Sequence, residues 1–268
     1  MTEQSQDFHG KTAIVTGGAR GLGAQIVGGL ALGGARVFVA DVLDADGTAL
    51  CKALTAGGCQ VYYHHLDVSN ERSWRGLVES VADQVEQLDI LVNNAGIIIR
   101  KTLDATTLDE WNRAFAVNVA GVFLGMRDCR ALLERSASGS IVNISSTAGL
   151  IAHSDPSYTA SKWAVRGLTK SAALDMAPRG IRVNSVHPAT IATPLTAAAP
   201  AGHLEANRHA IPLGREATAA EIAQIVLFLA SERASFVTGA EIAADGGLVT
   251  GGVAHMREAF QRAFVADI

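Results

Sequence analysis

The stretch Lys11-Thr12-Ala13-Ile14-Val15-Thr16-Gly17-Gly18-Ala19-Arg20-Gly21-Leu22-Gly23 decides how this 268-residue chain folds. Its first half is a short strand-forming run that stops abruptly at glycine, and the residues from Gly21 to Leu32 read as a helix. A strand, a glycine turn and a helix in direct succession open a unit that returns to a parallel strand. Arg36–Ala40 reads as that second strand, and Ala45–Thr55 as the helix after it.

Working outward, the alternation continues with a strand at Gln60–His64, a helix over Asn70–Gln87 and a strand at Ile90–Asn93. A long helix from about Leu108 to Leu133, a strand at Ser140–Ser145, a helix from about Ser157 to Ala177 and a strand at Ile181–Val186 come next. Thr218–Ser231 reads as a helix and Glu241–Ala244 as a last strand. This predicts an α/β fold, a single Rossmann-type doubly wound domain over residues 1–268 with a seven-stranded parallel sheet. Thr193–Pro212, rich in alanine and proline and placed just after a strand's carboxyl end, is a candidate substrate lid. Residues from about 251 to 268 read as a carboxyl-terminal tail.

Composition bounds the partners. With 49% hydrophobic and 18% charged residues the chain has material for one large core. A net charge of -4 and a pI near 6.1 provide no basic field for nucleic acid or anionic lipid, so neither partner is expected. Met1–Gly10 lacks the pattern of a signal peptide and no segment is long and apolar enough to span a bilayer, which points to the cytoplasm. Cys51, Cys59 and Cys129 show no metal or disulfide spacing, and the histidines, His64 and His65 included, form no zinc motif, so no metal is expected.

Chemistry enters at the glycine turn. Gly17, Gly21 and Gly23, with Arg20 and Leu22 between them, let the backbone approach a pyrophosphate at the helix amino terminus, where free N–H groups and the dipole favour negative charge. Asp41 ends the second strand, placed to accept hydrogen bonds from adenosine ribose hydroxyls and to repel a 2′-phosphate. Arg20 pulls the other way, but the carboxylate's direct contact decides for NAD as cofactor. Tyr158 and Lys162 stand i,i+4 on one helix face.

Together with Asn93-Asn94-Ala95-Gly96 and Asn118-Val119-Ala120-Gly121, these residues resemble the classical short-chain dehydrogenase/reductase family over residues 9 to about 250. The resemblance implies that Tyr158 is a general acid/base and that Lys162 holds the nicotinamide ribose and lowers the phenol's pKa. It also implies that Asn118 supports a water-linked proton relay, and that a serine hydrogen-bonds the substrate oxygen. Spacing to the tyrosine points to Ser145; anchoring on the strand and the following glycine points to Ser146, with one residue deleted before Tyr158, and Ser146 is the choice here. Asp67-Val68 matches the pair beside the adenine, and Asn94, Ala95 and Gly96 line the adenosine side. His187-Pro188-Ala189-Thr190-Ile191-Ala192-Thr193 matches the loop that holds the carboxamide, in which Pro188, Ala189, Ile191 and Thr193 are the expected contacts. Ala189 stands where the family usually has glycine, and its Cβ either narrows the pocket or is tolerated at negative φ.

Phe236–Ala240 and Asp245–Gly247 resemble a signature near a subunit interface, so a homo-oligomer, a tetramer by family habit, is expected. Within the family the run of motifs is most similar to bacterial hydroxysteroid dehydrogenases. The substrate implied is an apolar small-molecule alcohol or ketone, steroid-like, cyclic or aryl-alkyl. A 3-oxoacyl thioester reductase and a non-catalytic nucleotide-sensing scaffold are the alternatives. Leu150, Ile151, Leu195 and Leu204 are expected to line an apolar cleft, while His153 either joins them or faces solvent.

Overall fold

The computed structural model describes residues 7–197, 199 and 202–266. β1 (Thr12–Thr16) is buried at every position, as a strand covered on both faces must be. Then follow α1 (Gly21–Leu32), β2 (Arg36–Asp41), α2 (Asp44–Ala56), β3 (Gln60–His65), α3 (Glu71–Ala82) and β4 (Ile90–Asn93). α4 (Leu108–Phe115) passes through a π turn at Ala116–Ala120 into α5 (Gly121–Leu133), and β5 (Ser140–Ile144), α6 (Pro156–Met176) and β6 (Arg182–Pro188) follow. The chain ends with β7 (Ile191–Ala192), α7 (Pro194–Ala197), α8 (His203–Ala210), β8 (Ala217–Thr218), α9 (Ala219–Ala230), β9 (Glu241–Ala244) and α10 (Leu248–Ala266).

Among the described residues, seven parallel strands form one sheet in the order β3-β2-β1-β4-β5-β6-β9, as expected from the sequence. The order reverses between β1 and β4, so the loops leaving their carboxyl ends diverge and open a crevice. One face of the sheet is covered by α1 and α9 through Ile26, Leu30, Val226 and Leu229. The other is covered by α3, α5 and α6 through Trp74, Leu132 and Val165. α1 meets α9 closely at Gly29, where an added Cβ would lie 2.4 Å from Leu227.

Buried polar groups fasten β4, β5 and α6 to one another. Asn93 Nδ2 donates to Asn143 Oδ1 at 2.8 Å, and Asn143 Nδ2 donates to Thr169 Oγ1 at 3.0 Å. Thr169 in turn donates to Val165 O. Because such groups lose water on burial, their pairing specifies one register rather than adding much net stability.

Four elements differ from the sequence expectation. The helix expected over Asn70–Gln87 stops at Ala82, because Leu88 N is drawn to Leu132 O and Gln87 to Asp89. The helix expected over Leu108–Leu133 widens into the π turn, with Asn118 at its centre. Thr193–Pro212 contains α7 and α8 rather than plain loop, and the β7·β8 pair closes its base. The residues read as a tail continue as α10, whose first turn is held by Asp245 accepting from Gly247 N and Val249 N. Among the described residues no helix is long and apolar enough to cross a membrane, and no group of three or more metal-ligating side chains converges.

Candidate active site

Two glycines turn the chain at the end of β1. Gly17 and Gly21 adopt φ of +60° and +53°, and an added Cβ on Gly23 would lie 2.0 Å from Gly17 O. No side chain caps α1 at Arg20, which leaves its first N–H groups directed at the crevice. The turn is fastened to β4: Asn94 Nδ2 donates to Thr16 O and Gly17 O, while Thr16 Oγ1 accepts from Asn94 N and Ala95 N.

Asp41 stands at the carboxyl end of β2, accepting from Ala19 N at 3.0 Å and Leu43 N at 3.1 Å. Arg20 is drawn aside by Asp46, 2.6 Å from its guanidinium. Asp67 accepts from Ser69 N and Ser69 Oγ, and Val68 is pinned through its carbonyl by Trp74 Nε1. Every residue expected from the sequence to touch the cofactor, from Gly17 through Asp41, Asp67 and Asn94 to Pro188 and Thr193, lines one cavity of about 800 Å³. A glycine cradle at an uncapped helix terminus, with a carboxylate one strand away, fits a dinucleotide.

Ser146, Tyr158 and Lys162 line the same cavity at its other end. The Ser146 hydroxyl accepts from Ala148 N at 3.1 Å and lies close enough to the Tyr158 phenol to act on its pKa. Ser145 is buried and also lines the cavity, but its hydroxyl is committed to Lys162 O at 3.0 Å. The two hydroxyls therefore differ in their partners, Lys162 O for Ser145 and Ala148 N for Ser146. Burial raises the Tyr158 pKa above its ordinary value; Ser146 and the Arg100 charge act in the opposite direction, and Asp155 adds to the rise. Lys162 Nζ donates to Ile144 O at 3.0 Å, 5.6 Å from the phenol ring centre, and burial pushes its pKa down to about 8.

Asn118 is fully buried behind the cavity wall. Its Oδ1 accepts from Ile97 N, and its Nδ2 donates to Ile97 O and Ser161 Oγ. Both amide protons are thus committed to the protein. On the side chain's evidence Asn118 holds the wall at Ile97, and a relay would have to use another of its atoms.

Three residues carry this site without having been singled out from the sequence. Asp155 caps α6 ahead of Tyr158, and the pattern of an acid followed by Pro156 at a helix start was its available signal. His187 Nδ1 lies 3.1 Å from Ser146 O and its Nε2 lies 2.9 Å from Ser185 Oγ. Burial holds its pKa below the ordinary value, so the neutral ring donates to the Ser146 carbonyl and accepts from Ser185. Arg166 donates to Gly149 O and pairs with Glu241 through two nitrogens, tying the turn after Ser146 to β9. No local pattern announces the last two.

The substrate side departs from expectation. Arg100 is the only described non-glycine residue at positive φ, so Ala189 keeps a backbone that tolerates its Cβ. Leu150, Ile151 and Leu204 are not among the residues that line the cavity, and the side chain of Leu195 lies outside the described ones. His153 is half-buried with its ring edge-on to Tyr158, 5.8 Å between centres, so it belongs to the site's surroundings rather than to open solvent.

The family model described as "Enoyl-(Acyl carrier protein) reductase" matches residues 17–249. The chain is 42% identical over 258 residues to a trans-4-hydroxycyclohexanecarboxylate dehydrogenase of Sinomonas cyclohexanicum, covering 94% of this chain and 97% of the relative. It is 43% identical to a 3-alpha-(or 20-beta)-hydroxysteroid dehydrogenase of Mycobacterium tuberculosis, covering 90% of each, and 43% identical to a cyclopentanol dehydrogenase of Comamonas testosteroni, covering 88% and 96%. Among solved structures, a gluconate 5-dehydrogenase from Burkholderia cenocepacia in complex with NADP and tartrate superposes with a TM-score of 0.86 at 32% identity, covering 91% of this chain and 98% of that one. With this sheet order, glycine turn and tyrosine–lysine pair, the chain belongs to the short-chain dehydrogenase/reductase family.

The Lys162 ammonium supplies a pH test. Its pKa in the folded protein is about 8 against an ordinary 10.5, so between those values the unfolded chain binds more protons and stability rises with pH. In urea unfolding without nucleotide, wild type should gain stability relative to Lys162→Met between pH 8 and 10.5 and run parallel to it below pH 8. Parallel curves throughout would show that Lys162 is not perturbed.

Proposed function

We propose that this chain is an NAD-dependent dehydrogenase that interconverts apolar cyclic secondary alcohols and their ketones. The observation that carries the reading is that Ser146, Tyr158 and Lys162 line the same cavity as the glycine turn and Asp41. A bound nicotinamide supplies the hydride acceptor. The Ser146 hydroxyl donates to the substrate oxygen, and Tyr158 Oη takes the hydroxyl proton as the carbon–hydrogen bond gives up its hydride and the carbonyl forms. The Lys162 ammonium holds the ribose and favours the phenolate, and its pKa of about 8 keeps most of it charged at neutral pH. Asn118, through Ile97, keeps the wall beside them in place.

Two observations support NAD. Asp41 presents a carboxylate where a 2′-phosphate would lie, and the turn's own cation, Arg20, is paired with Asp46. The NADP in the gluconate 5-dehydrogenase belongs to a protein 32% identical, and it is the residue at the end of β2 that discriminates. Support for a cyclic substrate comes from the relatives, which include dehydrogenases of cyclopentanol, a cyclohexane carboxylate and hydroxysteroids. The family model's description favours a second reading, reduction of an acyl thioester.

A panel of cyclopentanol, cyclohexanol, a hydroxysteroid and a 3-hydroxyacyl thioester, followed by NADH absorbance, separates the two. The cyclic alcohols should lead in kcat/KM, since each additional 50 Å² or so of apolar surface buried contributes about 1 kcal/mol. NAD should exceed NADP by at least about tenfold, the equivalent of about 1.4 kcal/mol. A leading thioester, or equal use of NADP, rejects the corresponding half of the proposal.

The serines provide a sharper check on the chemistry. Ser146→Ala should lower kcat by about 10²-fold or more while NAD affinity stays within about twofold, because the lost hydrogen bond acts on the oxygen whose charge changes. Ser145→Ala removes only the bond to Lys162 O and should lower kcat by less than about threefold. The reverse order would transfer the role to Ser145.

We also propose a homotetramer. The reading rests on the resemblance of Phe236–Ala240 and Asp245–Gly247 to an interface signature, and Leu108, Leu174 and Phe236 are exposed apolar side chains that a partner chain could cover. Light scattering should return four times the chain mass of 27.9 kDa; the single-chain mass would refute it.

A further inference from the structure

The 97–100 segment follows Gly96 and begins at Ile97, which lines the cavity together with Ser146, Tyr158 and Lys162. Its near end is held by Asn118, which brackets Ile97 with one accepted and one donated hydrogen bond. Its far end is held differently. Ile99 N and Arg100 N both donate to a single oxygen, Asp155 Oδ2, at 2.8 and 2.7 Å. Successive N–H groups converge in this way only when the chain curls into an anion-binding concavity, which requires one residue in the left-handed region. Here that residue is Arg100, at φ +62°, a conformation an arginine does not adopt without compensation.

The other oxygen of the same carboxylate serves a different element. Asp155 Oδ1 accepts from Tyr158 N at 2.9 Å and Ser157 Oγ at 2.7 Å, capping the first turn of α6. Asp155 has no exposed surface, and although burial works to raise its pKa, the hydrogen bonds from Tyr158, Ser157, Arg100 and Ile99 hold it below the ordinary value. A buried carboxylate with four donors is therefore charged at neutral pH and joins two segments 55 residues apart.

We propose that Asp155 is a positioning residue for the reaction, one carboxylate that locks the 97–100 segment, whose Ile97 lines the cavity, to the helix turn carrying Tyr158. The inference rests on the alcohol dehydrogenase reading for its kinetic consequence, but not for the clamp itself. A helix cap alone needs one acceptor oxygen and would not draw Arg100 into a left-handed backbone. With both oxygens engaged, displacement of the segment would move the phenol's first turn as well, and reaction rate is sensitive to shifts of about 1 Å at the reacting atoms. The nucleotide side is held by separate contacts through Thr16 and Asn94, so the clamp should govern turnover without governing cofactor affinity.

Asp155→Ser tests this. Serine keeps an acceptor for Tyr158 N but is too short to reach the loop, so the variant should remain folded by circular dichroism. In it kcat for the best cyclic alcohol should fall at least about tenfold while the NAD dissociation constant stays within about twofold, a split that general loss of structure would not produce. The Ile99 and Arg100 amides should exchange with solvent at least about tenfold faster than in wild type, since their buried acceptor is gone. Unchanged kcat, or kcat and NAD affinity falling together, overturns the positioning role. Should wild type oxidise no alcohol at all, the function fails and the clamp is still judged: equal exchange at Ile99 and Arg100 in the two proteins overturns it.

Discussion

Everything at this site depends on how the ends of β1 and β4 are fastened across the crevice where the strand order reverses. Thr16 and Asn94 trade hydrogen bonds there, the hydroxyl of one accepting two backbone N–H groups and the amide of the other donating to two carbonyls. The exchange satisfies backbone groups that no neighbouring strand can reach, because the chains diverge at this point. It also sets the close approach of Gly17 to Ala95, where an added Cβ would lie 2.8 Å from the alanine's Cα. Cofactor-side geometry follows from that contact, since the position of Gly17 fixes where α1 begins.

The reacting end is mounted on a second rigid frame, the pairing of α6 with the end of β5. Lys162 is fixed at both its ends, its Nζ donating to Ile144 O and its carbonyl accepting from Ser145. Asn143 and Thr169 repeat the arrangement deeper in the core. Side chains whose partners are themselves buried have little freedom to adjust. The same burial depresses the lysine's pKa and raises the phenol's, so the frame that orients these groups also opposes their charged forms. At the phenol alone, Ser146 and the Arg100 charge act against that rise.

The substrate side is built more lightly. The segment after β6 is anchored by the two-residue β7·β8 pair and by Asn207 Nδ2 donating to Thr190 Oγ1, with α10 packed against α8 beyond. Few buried contacts and short elements are the features of segments that open locally at low cost.

Local pattern was sufficient for the sheet, the glycine turn, Asp41 at the end of its strand, and Tyr158 with Lys162 one helical turn apart, because each depends on neighbours within a few residues along the chain. Position along the chain favoured Ser146 over Ser145, and what the structure adds is the different partner of each hydroxyl, Ala148 N for one and Lys162 O for the other. The π turn at Asn118, the early end of α3 and the engagement of both Asn118 amide protons were not legible, because each answers to a partner far away in sequence: Ile97, Leu132 or Ser161. Asp155 shows the boundary most clearly. Its role as a helix cap follows from Asp155-Pro156 alone, whereas its hold on Ile99 and Arg100 exists only because the sheet brings the end of β4 alongside the start of α6, a distance no local propensity encodes.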